Sequence, residues 1–135
     1  MTWSDRRNLA GACVLQAVVA AALRVMPIAV VRHRAARLRA AARFCLAGSD
    51  DRVIWAIEAT ARRLPGLSTC LSRAVVAELT LAPSPAPARI NIGIRRLQGG
   101  ILQGHAWVAR GNRIVVGGRE ADAYTPMLTL GDPLA

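Results

Sequence analysis

The chain has 135 residues, enough to bury one hydrophobic core and too few for two. With 53% apolar residues it is not a disordered chain, and with only 4% aromatic ones its core must be built from Ala, Val, Leu and Ile. All 18 basic residues are arginine against 8 acidic ones, so a net charge of +10 favours acidic partners and speeds encounter with them. No nucleic-acid recognition module accompanies that charge, so nucleic acid is not an expected partner. The three cysteines show neither CxxC nor Cys/His ligand spacing, which leaves a zinc site without support and no cofactor expected. Unpaired cysteines suit a reducing compartment better than a disulfide framework, and the expected location is cytoplasmic.

From Asn8 to Val31 the chain is rich in Ala, Val and Leu, with Gln16 and Arg24 inside the run. Arg6 and Arg7 before it and Ala20-Ala21-Ala22 within it imitate a signal peptide. Arg24 and the arginines from Arg32 onward oppose that reading, and the uninterrupted apolar span falls short of the roughly 20 residues that cross a bilayer. The expectation is a buried helix ending near Met26-Pro27, with no stable membrane insertion. A second helix is expected over 28–47, with Arg32, Arg39 and Arg43 on one face and Val31, Ala35, Leu38 and Ala42 on another. Its basic side reads as a solvated face, with docking of an acidic peptide or partner as the sharper alternative. His33 belongs to this basic face.

Gly48-Ser49-Asp50-Asp51 breaks that helix and caps the next, whose inner stripe is Val53, Ile54, Ile57, Ala61 and Leu64. Pro65-Gly66 stops it, and Ser68 or Thr69 can cap a helix that runs to Leu81 or Ala82. Pro83-Ser84-Pro85-Ala86-Pro87 is a stiff extended connection. Beyond it the period changes to two: Ile90, Ile92 and Ile94 alternate with Asn91, Gly93 and Arg95. Strands over His105–Arg110 and Arg113–Val116 meet across a Gly111-Asn112 turn, Gln98-Gly99-Gly100 is a loop, and Tyr124–Leu130 adds a last strand. The expected architecture is α+β in one domain over 1–135, helices first (1–48 the helical N-terminal part, 49–135 the core with the site) and a small antiparallel sheet second.

Cys70 falls in the first turn of its helix, where unbonded N–H groups and the helix dipole favour an anion. That setting makes the nucleophilic thiolate available, and His105 on a strand supplies a general base. Cys13 and Cys45 read as small buried hydrophobes. Trp107 shares the face of His105 and reads either as a shield or substrate contact or as core.

Four blocks occur in order: Arg-Arg-Leu-Pro-Gly-x-x-Thr-Cys-Leu-x-Arg-Ala at 62–74, Ile92-Gly93-Ile94-Arg95, Gly104-His105-Ala106-Trp107-Val108 and Val115-Val116-Gly117-Gly118. In these the chain resembles the stand-alone, transglutaminase-like leader peptidases of lasso-peptide biosynthesis, tightly over 52–118 and loosely before it. The resemblance implies a transglutaminase-like, papain-like cysteine protease core that cuts the leader from a ribosomally made precursor peptide. Cys70 would be the nucleophile and His105 the base. It also implies two further partners, a separate leader-recognition protein and an asparagine-synthetase-like cyclase that closes the macrolactam. Its pattern places an acidic residue about a dozen positions after the histidine, where this chain has Gly117 and Gly118. Asp122 is the replacement candidate, with Glu120 and Asn91 as alternatives and a plain turn residue as the competing reading of Asp122. Without an orienting group, a weak or non-catalytic binding role is the alternative function.

Overall fold

The structure is a computed structural model, described here for residues 2–46, 48–64, 69–82 and 86–134, with the side chains of Arg119 and Glu120 left aside. Five helices come first: α1 (Trp3–Val25), α2 (Ile28–Arg37), α3 (Arg39–Cys45), α4 (Asp50–Arg63) and α5 (Cys70–Thr80). Then follow β1 (Ala88–Arg96), β2 (Leu102–Arg110), β3 (Arg113–Val116), the single turn α6 (Gly118–Ala121) and β4 (Thr125–Thr129). The sheet is antiparallel throughout, in the order β3-β2-β1-β4. The fold class is therefore α+β, helices before sheet, as the change of period required. The Pro65–Ser68 turn and the Pro83–Pro85 connection lie outside the described residues.

α1 starts earlier than the apolar run suggested, because Thr2 caps it. Thr2 and Asp5 form a reciprocal capping box at 3.1 Å each way. The Thr2 backbone and hydroxyl hydrogen bonds hold the Asp5 carboxyl below its ordinary range. At 23 residues α1 is, among the described residues, the one helix long and apolar enough by length and composition to cross a membrane. Its inward side is nonetheless partly polar: Asn8 and Gln16 are buried, and Gln16 donates to the Ile57 carbonyl at 3.2 Å.

The expected single helix over 28–47 is two. Leu38 leaves helical geometry at φ −104°, ψ 15°, and separates α2 from α3. Its expected basic face is broken too, since Arg32 points inward rather than to solvent. There it meets Glu78 of α5 in a two-pronged pair, Nε to Oε1 at 3.0 Å and Nη2 to Oε2 at 2.7 Å, and Nη2 also donates to the Gly131 carbonyl. A carboxylate carried among apolar residues of α5 captured the guanidinium, which periodicity alone does not reveal.

α5 lies at the centre: Ser72 and every residue from Ala74 to Thr80 are buried. Its small and β-branched side chains pack with Ala56 and Ile57 of α4, Ala12 and Val19 of α1, and Ile90, Ala106, Val108 and Val116 of the sheet. The hydroxyls of Thr60 and Thr80 are satisfied by the carbonyls four residues before them, Ala56 at 2.8 Å and Val76 at 2.7 Å. At its far end Arg110 of β2 ties three elements, reaching Asp50 of α4 and the Ala82 carbonyl at 2.7 Å each.

Replacing one partner of the buried pair strands the other. Glu78→Ala is expected to cost about 3–5 kcal/mol in urea unfolding, while Arg32→Met with Glu78→Leu recovers most of that loss.

Candidate active site

Thr69 is the residue that caps α5. Its Oγ1 accepts from the Ser72 N–H at 3.0 Å, and the Ser72 hydroxyl accepts from the Thr69 N–H at 2.9 Å. This box uses two of the first-turn donors. Among the described residues, the N–H groups of Cys70 and Leu71 are the helix's outward donors. Cys70 itself is half-buried and packs against the principal core from the helix side. Ser68, the other cap candidate, lies outside the described residues.

Alternation along β2 decides where His105 points. Ala106 and Val108 enter the principal core, so His105 and Trp107 project to the opposite face of the sheet. There Trp107, Ala121 and Tyr124 form a second, smaller cluster. The His105 ring is 4% exposed, with ring centroids 4.9 Å from Tyr124 and 5.9 Å from Trp107, both near-parallel. Arg95 covers the outer face of Tyr124 at 5.1 Å. The Trp107 ring lies over Gly93, where a Cβ would stand 2.8 Å from the indole, so only glycine fits opposite His105 on β1. Trp107 is buried as well and screens the imidazole from water.

At the expected position the backbone contributes a hydrogen-bond partner to His105. A bulge between Val108 and Ala109 shifts the β2–β3 register by one residue from the simple hairpin count. Gly117 then turns its carbonyl to His105 Nε2 at 3.1 Å. A carbonyl only accepts, so Nε2 carries the proton and the lone pair of the neutral ring lies on Nδ1. Gly117 adopts φ +78°, and a Cβ there would stand 3.2 Å from both the Ala106 carbonyl oxygen and Trp107 Cβ. The glycine pair that denies this position a carboxylate is what allows the close carbonyl approach.

Of the side-chain candidates, Asp122 and Asn91 are among the described residues. Asp122 is exposed just after α6. Asn91 is engaged with its own neighbours, accepting from the Thr129 hydroxyl at 2.6 Å and donating to the Arg89 carbonyl at 3.4 Å. The Glu120 side chain lies outside the described residues. Two contributors escaped the sequence reading, Tyr124 and the Gly117 carbonyl. The signal for the second was present, since a backbone carbonyl was the one acceptor a Gly-Gly pair could offer. No group of three or more His, Cys, Asp or Glu side chains able to hold a metal occurs among the described residues.

A helical layer leading into a four-stranded antiparallel sheet, with a cysteine opening the central helix and a histidine on the second strand, defines a class of protein rather than one reaction. A family profile, the Transglutaminase-like superfamily, matches residues 12–129, and the chain belongs to that superfamily. Neither the curated proteins nor the solved structures contain a match to it.

Two outcomes test the site geometry. ¹⁵N-resolved NMR of neutral His105 should report the Nε2–H tautomer. Gly117→Ala should destabilise the fold by roughly 1–3 kcal/mol, through the left-handed backbone it forces on a Cβ, and should alter the His105 ring signals.

Proposed function

We propose that this protein is a cysteine peptidase that removes the leader from a ribosomally made lasso-peptide precursor, with Cys70 as nucleophile and His105 as general base. One observation carries the reading: the Gly117 carbonyl holds His105 Nε2 at 3.1 Å, in a fold whose central helix opens with Cys70. Membership of a superfamily that includes cysteine peptidases supports it.

In this mechanism Nδ1 takes the thiol proton and the sulfur attacks the scissile carbonyl, forming a C–S bond. The resulting oxyanion lies where the N–H groups of Cys70 and Leu71 point outward from the helix. The C–N bond then breaks, and the imidazolium gives its proton to the leaving amine, the new N-terminus of the core peptide. Water, deprotonated by His105, hydrolyses the thioester, releases the leader as a carboxylate and restores the thiol. The freed amine is the nucleophile that a cyclase requires, and a leader-recognition protein is the proposed presenter of the substrate.

A second reading, a non-catalytic binding subunit of the same complex, is favoured by a different observation. Cys70 packs against the principal core while His105 belongs to the cluster on the other face of β2.

Incubation with precursor peptide and leader-recognition protein, followed by mass spectrometry, tests the first reading. Cys70→Ala should yield no leader fragment, and His105→Ala should lower the cleavage rate by about 10²-fold or more. Iodoacetamide labelling separates the two readings: fast modification of Cys70 near neutral pH, slowed in His105→Ala, supports the peptidase. Labelling of Cys70 that is as slow as that of Cys13 and Cys45, and indifferent to His105, supports the binding subunit.

A further inference from the structure

α1 is apolar on the side that faces solvent as well as on the side that faces the core. Trp3, Ala10, Val14, Val18, Ala21 and Val25 recur at helical spacing, and all are exposed, Val18 at 60% and Trp3 at 80%. Its buried side is the narrow row Asn8, Ala12, Gln16 and Val19. An exposed stripe about six turns long is unusual for a helix that contributes to a packed core.

The stripe borders a trough rather than a flat surface. Between α1 and the α2–α3 pair lies a cavity of about 370 Å³, walled by Leu15, Val18 and Ala22 on one side and Val31, Ala35 and Leu38 on the other. A second cavity of about 410 Å³ continues it towards the start of α1, between Val14 and Phe44, and Cys45 lines both. Phe44 is 78% exposed at its edge, and Arg7 stacks on that ring at 5.6 Å while donating to the Phe44 carbonyl at 2.8 Å. Together the cavities follow α1 from Arg7 to Met26, a run of about 29 Å at helical rise.

Charge selects the occupant. Among the described residues, the charged ones lining the two cavities are Arg7 and Arg34, and no acidic one lines either. From Trp3 to Cys45 the chain carries eight arginines and a single acidic residue, Asp5, whose carboxylate is already bonded to Thr2. Arg24, Arg34, Arg37 and Arg43 of α1 to α3 are exposed, and Arg34 lines the trough. A second copy of this chain would bring arginine against arginine at +10 per copy. A bilayer, being flat, would meet the crest of α1 and leave the trough behind it unfilled.

The geometry points to the α1/α2–α3 trough as the docking site of an acidic amphipathic helix from a partner polypeptide, its apolar side chains in the two cavities and its carboxylates on the arginine rim. This is the helix-in-groove mode, with anchors at i, i+3/i+4 and i+7. It is independent of the peptidase reading, since none of these residues touches Cys70 or His105 in that mechanism.

Fluorescence anisotropy of the full chain tests it with a fluorescein-labelled peptide of leucine and glutamate in a helical heptad pattern, against its scrambled isomer. The patterned peptide should bind at least tenfold tighter than the scrambled one. Val18→Glu with Phe44→Glu, or Leu38→Glu alone, should weaken it tenfold or more while leaving the urea midpoint unchanged. Arg34→Gln should weaken it severalfold and flatten its salt dependence. Equal binding of both isomers, or binding indifferent to all these variants, overturns the proposal in favour of simple charge attraction. Two other results also overturn it: a sedimenting dimer that Val18→Glu dissociates, which assigns the trough to a second copy, and flotation with phosphatidylglycerol vesicles abolished by Val18→Glu while peptide binding persists, which assigns it to a lipid surface.

Discussion

Burial of α5 on nearly every side is the constraint from which the rest follows. A helix in that position cannot carry large side chains on all faces, and the run from Ala74 to Ala77 is alanine and valine, narrow enough for α1 and α4 on one side and the sheet on the other. The same helix carries the ionic tie to Arg32 at Glu78 and opens with Cys70 behind a reciprocal Thr69–Ser72 cap. Position, orientation and exposure of the sulfur are thus consequences of core packing. Of the five aromatic residues, Trp3, Phe44 and Trp55 are exposed on the helices, and a second concentration of two, Trp107 and Tyr124, gathers around His105.

That second concentration gives the histidine an environment of its own. Trp107 and Tyr124 hold the ring in its plane, Arg95 closes over Tyr124, and the Gly117 carbonyl fixes which nitrogen is protonated. Gly117, having no Cβ, admits that carbonyl within hydrogen-bond range of the ring.

The arginine excess also divides by location. Arg32 and Arg110 are structural, each joining three segments through a carboxylate and a main-chain carbonyl. Arg7 and Arg34 line an apolar trough, so the same residue type serves as internal strut and as rim charge. Net charge alone could not distinguish these uses, because burial and pairing, not residue type, decide them.

Much of the fold was legible because it rests on local periodicity. The switch from 3.6 to 2 at Ile90 marked helices before sheet, Gly111-Asn112 marked the hairpin, and Ser49 and Thr69 marked helix starts. A cysteine at a helix start and a histidine on a strand were readable in the same way. What the sequence could not decide were contacts between distant segments and single-residue shifts of backbone. Arg32 was read as solvated because Glu78 lies 46 residues away. The break at Leu38 and the bulge beside Val108 each turn on one residue's dihedral angles or pairing, and beyond the bulge the Gly117 carbonyl meets His105. Local order is written in spacing along the chain; the partner of each buried polar group is chosen by tertiary packing.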